Sequence, residues 1–138
     1  MRASPALLLI AVLALPGCGP GGGGKASPQA ETGPYAGLEA AIKAWRAEIV
    51  KADPACLAKG GKGCEGFEVA CKGERPLTPD DTARGASAKV AVAMTWSGWN
   101  AARAEHQPAS GVSEFAKVGG AWTRTDAKPV NLSTCATL

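Results

Sequence analysis

A single histidine, His106, is the whole imidazole content of this 138-residue chain. A zinc site would need further ligands at short spacing. No second histidine and no carboxylate cluster accompanies His106, so neither a metal nor a cofactor is expected. Ser-His-Asp catalysis would have to recruit Ser110 and Asp126, and no serine here sits in a nucleophile elbow. The paired carboxylates Asp80 and Asp81 are adjacent. On any regular element they point apart, whereas acid–base pairs must converge on one bond, and the spacing of a calcium loop is missing around them. Gly60-Gly61-Lys62-Gly63 lacks the Ser or Thr that follows the lysine of a phosphate-binding loop, and Cys56 stands where that loop needs glycine. The formal charge of +3 is scattered. Without a basic stripe carrying interleaved aromatics, nucleic acid is not an expected partner. Apolar runs are short as well. The longest, Ala6 to Leu15, has ten residues, and a bilayer-crossing helix needs about 20.

That short run has another use. With Arg2 ahead of it and Pro16 ending it, it has the size of an export-signal core, about 7–15 residues. Leu15-Pro16-Gly17-Cys18 follows. The segment resembles the lipobox of bacterial lipoproteins, with an aliphatic residue three places before a cysteine and a small one directly before it. Pro16 departs from the usual small or β-branched residue. The resemblance implies cleavage before Cys18 and a lipid on its sulfur, hence a membrane partner reached through the anchor. It further implies an exported, periplasmic or surface location, with Gly19 favouring the outer membrane. The competing reading is an ordinary secreted protein cut nearby.

Gly19 to Pro34 has no apolar periodicity and is rich in glycine and proline, as a tether would be. The organisation expected is therefore a signal peptide at 1–17, a lipidated cysteine and flexible tether at 18–34, and one domain at 35–138. Beyond Cys18 the chain holds Cys56, Cys64, Cys71 and Cys135. Four cysteines in an exported domain suggest two disulfides, in any of three connectivities. Their spacing does not match the short pairs of zinc ribbons. A bridge from Cys135 would tie down the C-terminus and close a long loop.

Tyr35 to Ala52 reads as a helix, with Leu38, Ala41, Ile42, Trp45 and Ile49 on one face and Asp53-Pro54 as its stop. Ala55 to Gly66 reads as a loop. Phe67 to Lys72 alternates as a half-buried strand with Phe67, Val69 and Cys71 on one face. Thr78-Pro79 can cap and open a single helical turn. Lys89 to Trp96 is the clearest strand, with Val90, Val92, Met94 and Trp96 in phase and Trp99 out of phase, as an exposed aromatic. His106 to Gly111 reads as a loop. Val112 to Val118 and Ala121 to Thr125 form a hairpin around Gly119-Gly120, placing Phe115 opposite Arg124 and Lys117 opposite Trp122. Val130 to Leu138 adds a short edge strand. The fold class is α+β, one N-terminal helix packed on an antiparallel sheet of about four strands, braced by disulfides.

Over residues 35–125 this order of elements is similar to the cystatin-like group, including the nuclear transport factor 2-like superfamily, which implies a curled sheet with a concave face. Gln107-Pro-Ala-Ser-Gly111 resembles the Gln-x-Val-x-Gly loop of protease-inhibiting cystatins, with Ala109 in place of valine, and Trp122 resembles their hairpin tryptophan. Three functions follow as expectations. The first is a non-enzymatic envelope module binding a protein or small ligand, with Trp99, Phe115, Trp122 and Arg124 as its surface. The second is a cysteine-protease inhibitor using Gln107–Gly111 and Trp122. The third is an enzyme with Glu68, Arg103, His106 or Glu114 inside a cone of sheet.

Overall fold

The structure is a computed structural model and describes residues 33–138. The expected signal peptide, Cys18 and most of the expected tether lie outside the described residues. A short 3₁₀ turn at Gly33–Tyr35 leads into α1 (Leu38–Ala52), α2 (Pro54–Gly61), β1 (Cys64–Glu74), α3 (Pro79–Ala83), β2 (Ala86–Asn100), β3 (Glu105–Val118) and β4 (Ala121–Asp126). The strands form one open antiparallel sheet in the order β1-β2-β3-β4. The fold is thus α+β with a four-stranded sheet and two disulfides.

The apolar stripe of α1 decides which face of the sheet it covers. Leu38, Ile42 and Trp45 pack on Val90, Val92, Met94, Trp96 and Phe115 as one buried cluster. Gly111 sits beneath Trp45 and Trp96, and a Cβ there would stand 3.4 Å from both rings. The interior facing α1 is therefore filled with side chains rather than hollow. Asp53 is extended, as a residue before proline should be, and ends α1. Its carboxylate then caps α2 by accepting from the Ala55 N–H at 2.8 Å.

Three local expectations are corrected. The loop foreseen at Ala55–Gly66 contains α2, a single right-handed turn closed by left-handed backbone at Lys59, Gly60 and Gly61. The loop foreseen at His106–Gly111 is strand, because β3 pairs with β2 along its whole length, from Asn100↔Glu105 to Ala86↔Val118. The edge strand foreseen at Val130–Leu138 reduces to one bridge, Val130↔Thr137. That segment instead lies as a strap on the face of the sheet away from α1. Val130 and Cys135 are buried there against Ala93, Cys71 and Val112.

The strap explains a fourth difference. An irregularity between Val69 and Cys71 breaks the alternation of β1. Phe67 stacks on Trp96 on the α1 side, while Cys71, paired in register with Ala93, turns to the opposite face and bonds Cys135. The second bridge, Cys56–Cys64, ties α2 to the start of β1. Gly73 lies under the strap so closely that a Cβ would come within 2.8 Å of the Cys135 Cβ.

Candidate functional site

The hairpin register brings Phe115, Trp122 and Arg124 together beside α1, where they line a groove of about 290 Å³ with Trp45 and Glu48. Phe115 is fully buried and meets Trp45 edge to face, with centroids 5.9 Å apart. Trp122 is half-buried, and its indole N–H donates to the Ala36 carbonyl at 3.0 Å, which pins the entry to α1. The Arg124 guanidinium lies 6.0 Å from the Trp45 ring centroid. It donates to Ser113 Oγ (3.0 Å), Glu48 (2.8 Å) and Asp126 (2.5 Å). Ser113 is wholly buried, so the bond from Arg124 satisfies a hydroxyl that would otherwise be costly. The groove offers an apolar floor, and its one cation is already engaged.

Trp99 does not join this group. It sits in register with His106 where β2 passes into β3, whereas Trp122 lies opposite Lys117 at the other end of β3. At about 3.3 Å per residue the two ends are roughly 35 Å apart. Nor is Trp99 fully exposed. The Lys59 ammonium lies 4.1 Å from its ring centroid, and the His106 ring meets it edge-on at 5.2 Å. Imidazole Nδ1 of His106 is 3.3 Å from a Glu65 carboxylate oxygen, and Nε2 is buried with no partner.

The face away from α1 carries a polar cluster that sequence reading missed. Asp81 is 1% exposed. It accepts from the Thr78 N–H (3.0 Å), the Thr78 hydroxyl (2.8 Å), Lys89 (3.1 Å) and Arg84 (2.6 Å). Those bonds, the Thr78 N–H foremost, hold its carboxyl well below the usual carboxylate range. The Asp81 bond in turn pushes the Lys89 ammonium up from its ordinary value. Lys89 also pairs with Glu114 at 3.3 Å, and Glu114 with Arg75 at 3.8 Å. Arg75 donates to the Cys135 carbonyl, closing the cluster onto the strap. A cavity of about 260 Å³ lies alongside, between Arg75, Glu114, Lys128, Val130 and Thr137. The available signal was the capping box Thr78–Asp81, together with Lys89 standing out of phase with the apolar residues of β2.

The acid–base candidates do not converge. Glu114 and His106 lie on the face away from α1, Glu68 is exposed on the edge strand, and Arg103 is exposed in the turn before β3. Gln107 and Gly111 lie within β3, paired with Gly98 and Met94, rather than in a projecting loop. Among the described residues no group of His, Cys, Asp or Glu is arranged to hold a metal, and no helix is long and apolar enough to cross a membrane. No protein family, curated protein or solved structure matches the chain.

Proposed function

We propose that the protein is a lipid-anchored module of the bacterial cell envelope, whose disulfide-braced domain binds a partner rather than turning over a substrate. The division follows the sequence: signal peptide 1–17, lipidated Cys18 and tether through residue 34, folded domain from residue 35. The observation that carries the reading is the cysteine pairing. Cys56 bonds Cys64 and Cys71 bonds Cys135, so all four cysteines of the described residues are paired with one another, and Cys18 is the fifth cysteine of the sequence. It stands at the lipobox position. Two disulfides agree with an oxidising compartment, since cytosolic thiols are kept reduced.

Binding rather than catalysis is favoured by how the polar groups are used. Arg124, Asp81, Lys89 and Glu114 are each held in several internal bonds, which suits a rigid scaffold better than a proton-transfer site. Fractionating cells that express the wild type and Cys18→Ser tests the anchor. Wild type is expected in the membrane fraction, extractable only by detergent, and the variant outside it. Equal partition of the two would overturn the reading.

A further inference from the structure

Among the described residues, two of the three non-glycine positions with left-handed backbone, Lys59 (φ 53°) and Ala104 (φ 53°), flank the same end of the sheet. A side chain in this region costs about 1–2 kcal/mol, and Gly60 and Gly61 stand next to Lys59 in the same conformation. Such backbone persists where its surroundings impose it. Here Cys56–Cys64 closes the α2 turn, the Gly63 N–H donates to the Cys56 carbonyl at 3.1 Å, and the Trp99 N–H donates to the Gly63 carbonyl at 2.8 Å. In the facing turn, the Asn100 side-chain oxygen accepts from the N–H groups of Ala102 (3.0 Å) and Arg103 (3.1 Å). Two neighbouring turns are thus set rigidly in advance of any contact.

Among the described residues, the two lysines of the α2 turn have no carboxylate partner. Of the carboxylates nearby, Glu65 faces His106 Nδ1 at 3.3 Å, and Glu105 pairs with Arg103 and accepts from Gln107. Lys59 has only the π face of Trp99, and Lys62 has no ion pair. Beside these lysines Leu57 is 53% exposed, and tryptophan and arginine, both present here, are the commonest anchors of protein interfaces. Lys117 Nζ donates to the Pro34 carbonyl at 3.1 Å, which fixes the start of the domain near the opposite end of β3. The Trp99 end lies roughly 35 Å away.

We propose that this end, built on Leu57, Lys59, Lys62, Trp99 and Arg103, docks an acidic segment of a partner protein. The anchored-module reading supplies only its orientation, outward from the membrane. Carboxylates answer the two lysines, and an apolar residue of the partner covers Leu57 and the rim of Trp99. Two unpaired lysines beside exposed apolar surface fit a mixed acidic–apolar peptide better than a phosphate backbone, which calls for many converging cations.

The test is a titration of detergent-extracted protein, followed by tryptophan fluorescence. The probe is a glutamate-rich peptide with one central leucine. A lysine-for-glutamate peptide and a single-stranded oligonucleotide serve as comparisons. The glutamate peptide is expected to bind, less tightly as salt rises. Lys59→Glu with Lys62→Glu is expected to weaken it about tenfold, while Lys43→Glu with Lys51→Glu on α1 leaves it unchanged. Lys59→Gly separates function from folding. It relieves the backbone, so the urea midpoint holds or rises, and yet binding falls. Equal binding by both lysine pairs, no loss with Lys59→Gly, or tighter binding of the oligonucleotide would each overturn the proposal. The Cys18→Ser fractionation would stand regardless.

Discussion

Removing the two disulfides separately has unequal costs, and the inequality follows from where the bridges lie. Cys71–Cys135 spans a sequence separation of 64 and Cys56–Cys64 one of 8. Loop-closure entropy makes the longer bridge worth about 4 kcal/mol and the shorter about 2.5 kcal/mol. Structure adds to the difference. The long bridge alone joins the strap covalently to the sheet, and beneath the strap Val130 and Cys135 bury their side chains against Ala93. Against the roughly 5–15 kcal/mol that stabilises a domain of this size, the longer loss leaves a marginal fold. The assay is urea unfolding of Cys71→Ala/Cys135→Ala and of Cys56→Ala/Cys64→Ala, followed by tryptophan fluorescence and accompanied by limited proteolysis. The long-bridge variant is expected to unfold at the lower urea concentration and to be cut first in the strap, at the exposed Leu132, by chymotrypsin. If the short-bridge variant proved the less stable, the reasoning would be refuted.

Two further predictions concern the faces of the sheet. Phe115→Ala empties a fully buried site under Trp45 and is expected to cost about 3–5 kcal/mol in urea unfolding. A loss under 1 kcal/mol would mean that α1 does not press on β3. Asp81 has a depressed carboxyl pKa, so its contribution is fully present above the ordinary carboxylate value near 4 and is lost as pH falls below it. Asp81→Asn is therefore expected to lower the urea midpoint at pH 7. The gap between wild type and variant should narrow as pH falls below about 4, and a gap that widened in acid would contradict the assigned bonds.

Elements whose signal lies within one segment were legible in the sequence. The stripe Leu38–Ile42–Trp45, the alternation Val90–Val92–Met94–Trp96 and the Gly119-Gly120 turn each read correctly. The turn's register also put Phe115, Trp122 and Arg124 on one face, which gave the groove beside α1. What failed depends on residues far apart. Cys71 changes face because β1 is irregular between Val69 and Cys71, and nothing in the alternation of Phe67, Val69 and Cys71 announces this. His106–Gly111 looks like a loop by composition, with proline, serine and glycine. It is strand because β2 supplies a partner throughout, and Gly111 makes room for Trp45 and Trp96. The strap carries too little periodicity to be placed without its disulfide. Phase within β2 marks Trp99 as an exposed aromatic but does not say where along the sheet it lies, and only the long β2–β3 pairing puts it at the far end from the groove.

The central claim is that Cys18 carries lipid while the other four cysteines are bridged in pairs. Intact mass of the detergent-extracted protein, before and after reduction, measures both at once. The expected chain begins at Cys18, is heavier than its sequence by an acylated glyceryl group, and gains on reduction the mass of the hydrogens of two bridges. An unmodified chain cut elsewhere, or a gain equal to a single bridge, would contradict it.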